Sequence, residues 1–203
     1  MKYFLTFLIA TFAGYESIAQ QDLNIEYKLR GHVYAASSVK DTTALGGFGG
    51  SDNFPKPTLQ KFSDNGFFLK IDTTQTVSLS KKFNGYKLYI VNASDKIVEL
   101  EASDSRLPAV AQVFLNNKWQ DIEYLPSSWC GNSYHKVFIE PNQYWEFEVP
   151  KFSGKLQTKL RYKLEISEGK FIYSNEIKAS VNKKQLTAKE GHEPQGLMDP
   201  YND

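Results

Sequence analysis

The sequence predicts an all-β, antiparallel fold, and three observations carry that prediction. The first is alternation. Leu156, Thr158, Leu160, Tyr162, Leu164 and Ile166 interleave with Lys155, Gln157, Lys159, Arg161, Lys163 and Glu165. Side chains on a strand point to opposite faces with a period of two, so one face is apolar and the other charged. A long antiparallel strand reads this way when one side lies on a core and the other in water. The second is composition: twelve Tyr and fourteen Phe, residue types suited to a pleated, half-buried surface. The third is that no long stretch repeats its apolar residues at the helical period, so helices are expected to be few.

Taken in order, the chain opens on Lys2, an apolar run over residues 3–13, and the small residues Ser17 and Ala19 on either side of Ile18. Charge, apolar run and cleavage site in that order are the layout of a secretory signal peptide cut after Ala19. The run is too short to span a membrane, which takes about 20 apolar residues. The expected destination is secreted, periplasmic or cell-surface, with no transmembrane segment. Cys130 is the one cysteine, so no internal disulfide forms and the core must hold the domain together.

Residues 22–30 alternate weakly, with Leu23, Ile25, Tyr27 and Leu29 on one side. Residues 42–57 contain Gly46, Gly47, Gly49, Gly50, Pro55 and Pro57, and read as a long loop. A dense series of strand-like runs follows at residues 67–80, 86–92, 97–102, 109–115, 119–124, 135–140, 144–150, 156–167 and 170–181. Turn chemistry separates several of them at Asn116-Asn117, Pro141-Asn142 and Glu168-Gly169, which suit tight hairpins. Short strands at regular spacing point to a sandwich or barrel rather than to parallel βαβ units. From residue 183 the pattern fades, and the segment through Asp203 has too little apolar surface to order itself. The organisation expected is a signal peptide (1–19), an N-terminal strand and Gly/Pro-rich loop segment (20–66), a β-sandwich (67–182) and a disordered tail (183–203).

The runs from Tyr86 to Val181 resemble an immunoglobulin-like β-sandwich of a secreted bacterial protein. Residues 158–164 followed by 171–177 resemble the last two strands of such a domain, and residues 144–150, after the Pro-Asn turn, the strand before them. The resemblance covers about half the chain and implies a fold without implying functional residues, since many sandwiches share architecture and not function. The inter-sheet disulfide of antibody domains is absent.

Lys and Arg number 24 against 23 Asp and Glu, which argues against a nucleic-acid binder. His32, His135 and His192 are too scattered for a structural zinc site, and no EF-hand loop is present; no cofactor is expected. Gly46–Gly50 lacks the Lys-Ser/Thr ending of a phosphate loop. The pairs Asp121/Glu123 and Glu146/Glu148 read as solvated surface, because an exposed carboxylate has no cause to raise its pKa for general acid work. Lys155, Lys159, Arg161 and Lys163 form a basic row on an outer face, with cross-strand ion pairs expected. Trp119, Trp129 and Tyr134 are candidates for an aromatic platform.

Residues 126–135 are the most unusual segment. Cys130 with His135 as base would make a thiol nucleophile; the plainer reading is a connecting loop with a buried Cys130. No constellation meets the tests for an active site. The function expected is a non-enzymatic secreted or cell-envelope binding module for a protein or glycan at the cell surface. Its contacts are placed at Trp129, Cys130, Asn132, Tyr134 and His135, with Arg106 from the nearby 106–108 stretch. The alternatives are a small thiol-dependent enzyme or hydrolase using Cys130 and His135, and a structural envelope protein that pairs through exposed strand edges.

Overall fold

Alternation between apolar and polar residues is carried directly into strands. A computed structural model describes residues 20–58, 62, 64–126 and 131–187. The strands are β1 (Leu29–Arg30), β2 (Lys56–Pro57), β3 (Gly66–Leu79), β4 (Phe83–Ala93), β5 (Val98–Ser103), β6 (Ala109–Leu115) and β7 (Lys118–Asp121). They continue with β8 (Glu123–Tyr124), β9 (Tyr134–Ile139), β10 (Gln143–Pro150), β11 (Leu156–Ser167), β12 (Lys170–Tyr173) and β13 (Ile177–Val181). The described helical elements are two short 3-10 turns, Gly131–Ser133 and Lys183–Leu186. The all-β, antiparallel expectation holds.

One sheet has the order β2-β10-β4-β3; the other has β12-β11-β6-β7, with β13 also on β11. Strands β5 and β9 form a separate antiparallel pair. The apolar faces meet in one core: Leu69 and Ile71 of β3, Leu88 and Ile90 of β4, and Trp145 and Phe147 of β10 belong to the same buried cluster as Ala111, Val113, Leu160, Tyr162 and Leu164. Two sheets sharing one apolar layer are compatible with a β-sandwich. On β11 the inward residues are Leu160, Tyr162 and Leu164, as the alternation requires. On β10, Trp145, Phe147 and Val149 are buried while Glu148 is exposed.

The turn residues behave as their chemistry demands. Asn116 and Asn117 join β6 to β7 with φ of 53° and 59°, Asn142 has φ 58°, and Gly169 has φ 68°. Left-handed backbone at both positions of a two-residue loop matches the twist of the strands it joins.

Three sequence expectations change. The run at 170–181 is two strands, because Ser174 interrupts the ladder: its Oγ accepts from Tyr162 N at 2.9 Å, and its own N–H donates to Tyr162 O at 2.9 Å. The run at 119–124 is also broken. Ile122 donates from its backbone to Ala111 O at 3.0 Å, and the kink turns the Glu123 side chain inward, so Glu123 is 1% exposed rather than solvated. At the other end, Lys183–Leu186 forms a 3-10 turn with Gln185 buried, where a disordered tail was expected; residues 188–203 lie outside the described part, as does the leader expected at 1–19.

The segment 20–58 wraps the sheets without building a long ladder of its own. Val33 and Ala35 are fully buried in the shared core. Trp145 Nε1 donates to Ala36 O at 2.8 Å, and Leu107 N donates to Val33 O at 2.8 Å. The short β1 pairs with β8 in parallel. Beyond β2, the edge of β10 is closed by side chains: Asn53 Nδ2 donates to Glu146 O, and His32 Nε2 lies 3.2 Å from Glu148 O. Covering an edge in this way removes a template for unwanted strand pairing.

Candidate functional site

Strand β5 runs into a two-residue turn. Asp104 and Ser105 have φ of 48° and 63°, so Ser103 and Arg106 face each other across a tight hairpin end. Ser103 N donates to Arg106 O and Arg106 N to Ser103 O, both at 2.9 Å. Ser103 is in register with Tyr134 of β9 on its other side, and Arg106 bridges to Tyr34. Residues directly opposite one another in a ladder project to the same face. Tyr34, Arg106, Ser103 and Tyr134 therefore form one row, assembled from four places in the sequence.

A cleft of about 180 Å³ opens on this row, walled by Leu107, Pro108, Leu125 and Pro126, with Glu101, Ala102, Ser103, Arg106 and Tyr134. It brings together the two stretches that the sequence singles out separately, 106–108 and 126–135. Its rim is apolar and open to solvent: Leu125 is 39% exposed and Tyr134 49%.

Arg106 is 5% exposed. Its guanidinium makes two long hydrogen bonds, Nη2 to Pro126 O at 3.4 Å and Nη1 to the Tyr34 hydroxyl at 3.5 Å, and lies 5.9 Å from the centre of the Tyr34 ring. No carboxylate among the described residues pairs with it. Buried charges in proteins are ordinarily paired. Ser103 adds a second unsatisfied group: its buried Oγ has no hydrogen-bond partner among the described residues.

His135 is next to Tyr134 in sequence but on the opposite face, because strand residues alternate. Its ring stacks on Phe48, centroids 3.7 Å apart. Nε2 accepts from Ser105 N at 3.0 Å, and Nδ1 lies 3.3 Å from Lys136 O. The Gly-rich stretch 46–50 covers it: Ser105 Oγ donates to Gly49 O at 2.8 Å, and Gly49 N donates to Asp104 Oδ1 at 2.7 Å. Asp41 anchors that loop to β9. Its carboxylate accepts from the Thr43 hydroxyl and from Lys136 N, which hold its pKa down to about 2.

The residues expected at the site therefore separate. Arg106 and Tyr134 share the cleft; His135 does not line it and packs behind it against Phe48 and the Ser105 backbone. Asn132 is exposed in the 3-10 turn and does not line the cleft. Trp129 and Cys130 lie outside the described residues. Trp119 is on the outer face of the five-stranded sheet, away from Tyr134. There the Arg161 guanidinium sits between the Trp119 ring, at 4.1 Å, and the Tyr173 ring, at 3.8 Å. Two members of the basic row on that face are paired, Lys159 with Glu176 and Lys163 with Asp121, while Glu146 pairs instead with Lys56 and Lys87. Ser103 and Tyr34 escaped the sequence reading; each is an ordinary surface-type residue until the row is assembled.

A second buried acid lies in the core. Glu123 Oε2 accepts from Ala111 N at 2.9 Å, and Oε1 accepts from the Tyr162 hydroxyl at 3.3 Å. Burial raises the pKa of Glu123, and burial beside Glu123 raises that of Tyr162. This pair faces the core and not a cleft. Among the described residues no group of His, Cys, Asp or Glu is arranged to hold a metal ion, and no helix is long and apolar enough to cross a membrane.

No protein-family model, curated protein or solved structure matches this chain.

Proposed function

We propose that the protein is a non-enzymatic binding module of the secreted or cell-envelope kind, built as an immunoglobulin-like sandwich, that holds its partner in the Arg106 cleft. One observation carries the reading: a buried guanidinium without a counter-ion among the described residues stands in the wall of an open, apolar-rimmed cleft. A group so costly to bury unpaired has a ready explanation if a ligand supplies the missing charge. The leader-like pattern of residues 1–19 supports export, and the order of strand-like runs supports the immunoglobulin-like assignment.

The hydrolase alternative draws no support from the described geometry. His135 Nε2 accepts from Ser105 N and lies 3.4 Å from Ser105 Oγ, and Nδ1 lies 3.3 Å from Lys136 O. No carboxylate among the described residues orients the ring, and Ser105 is 2% exposed with its hydroxyl donating to Gly49 O at 2.8 Å. A nucleophile needs a free base and an orienting partner. The edge-pairing alternative is weakened by the side chains that close the β10 edge.

Capture of partners from an extract of the native source tests the reading. Tyr134→Ala and Leu125→Glu are expected to lose the partner. Phe171→Ala, on the far sheet, and Cys130→Ser are expected to keep it. Capture unaffected by both cleft substitutions would remove the cleft from the function.

A further inference from the structure

We infer that the cleft seats the C-terminal carboxylate of a polypeptide whose last residue is apolar. This rests on the cleft being the binding site, and it names the chemistry that fills it.

The guanidinium carries five N–H donors. Two make the long bonds to Pro126 O and the Tyr34 hydroxyl, which leaves three without an acceptor among the described residues. The fork of a guanidinium matches the two oxygens of a carboxylate. Beside it, the buried Ser103 hydroxyl has one further donor and no partner. Ser103 and Arg106 are held opposite each other by two backbone hydrogen bonds, so their side chains rise from the same face. A single carboxylate would satisfy both groups at once.

The walls define what the carboxylate is attached to. Leu107, Pro108, Leu125, Pro126 and Ala102 present an apolar surface. The volume of about 180 Å³ leaves room for a group the size of one side chain. Glu101 is exposed and lines the same cleft, so it opposes every negative charge on the ligand, and a doubly charged group more than a single carboxylate. That disfavours a phosphate dianion or an acidic last residue. Finally, the exposed Leu125 and Tyr134 continue the apolar surface past the mouth. A free small acid would leave them uncovered, whereas a chain ending in the cleft would lie across them.

The test is an NMR titration of the full-length chain with three probes: a hexapeptide ending in a free leucine carboxylate, the same peptide as its C-terminal amide, and N-acetyl-leucine. The free-carboxylate peptide is expected to shift the amides of Ser103, Arg106, Leu107 and Tyr134. The amide should bind roughly tenfold or more weakly, the loss expected for a charge-assisted hydrogen bond, and N-acetyl-leucine should also bind more weakly than the peptide. Arg106→Gln should remove the preference for acid over amide. Ser103→Ala, which deletes a hydroxyl that supports nothing in the fold, should leave the spectrum folded and weaken the acid alone. Equal binding of acid and amide at these residues would overturn the carboxylate while leaving the cleft a binding site. Equal binding of peptide and N-acetyl-leucine would overturn the polypeptide. No shift with any probe would overturn the whole inference.

Discussion

The side-chain amide of Asn175 completes the edge of the opposite sheet: Ile71 N donates to Asn175 Oδ1 at 2.7 Å, and Asn175 Nδ2 donates to Ile71 O at 3.1 Å. Ile71 belongs to β3, the outermost strand of the four-stranded sheet, while Asn175 lies between β12 and β13 in the other. A single side chain thus stands in for the next strand and ties the two sheets at their rim. Asn175 is exposed and both bonds are part-buried, so in Asn175→Ala water can reach the freed Ile71 N–H and C=O. A loss of about 1 kcal/mol, the net worth of an ordinary hydrogen bond, is expected. Urea unfolding measures it. Asn175→Asp keeps the acceptor and loses the donor, and should also be destabilised.

Glu123 makes stability depend on pH in a direction opposite to that of a paired surface acid. Burial raises its pKa above the ordinary 4.5, so near and above that pH the folded chain holds a proton that the unfolded chain releases. The stability this contributes is fully present below 4.5 and is lost as pH rises through the folded value. The Tyr162 hydroxyl, raised above 10.0 by burial and then by Glu123, adds a loss of the same sign at alkaline pH. Glu123→Gln keeps an acceptor for Ala111 N and cannot ionise. Its urea midpoint should stay level through the window in which that of the native chain falls; parallel curves would show that Glu123 does not titrate on unfolding.

Leu160 and Lys159 are neighbours with opposite faces. Leu160 is buried in the shared core, whereas Lys159 is exposed and paired only with the exposed Glu176. Leu160→Ala should cost roughly 2–5 kcal/mol. Lys159→Ala should stay within about 0.5 kcal/mol of neutral, since exposed ion pairs contribute little. Equal effects would mean that β11 is turned the wrong way.

These strands were legible because each carries its own two-residue period. Residues 109–115 and 156–167 match their observed bounds, and other runs shift by a few residues at their ends. The breaks were less legible. Ser174 ends a ladder with a hydroxyl, and Ile122 kinks a strand to bury an acid; in sequence both sit inside acceptable strand patterns. The wrap of Val33–Ala36 was hidden for another reason: isolated hydrogen bonds to Leu107, Ser105 and Trp145 hold it, and such contacts leave no periodic trace. The cleft was half legible. Arg106 and Tyr134 are both singled out in the sequence, but there Arg106 reads as a surface charge near a proline, and its burial follows only once residues 34, 103 and 126 are brought beside it. The separation of His135 from Tyr134 follows from alternation alone and was available in the sequence.

The claim on which the functional account turns is that Arg106 is kept for a ligand and not for the fold. Urea unfolding of Arg106→Met without ligand tests it most directly. Methionine fills the same space without a charge, and replacing a buried ion by an apolar side chain is often neutral or stabilising. The account predicts a midpoint equal to or above that of the native chain. A loss of about 3 kcal/mol or more, the cost of breaking a buried pair, would show that the guanidinium is already satisfied within the protein, and would contradict the account.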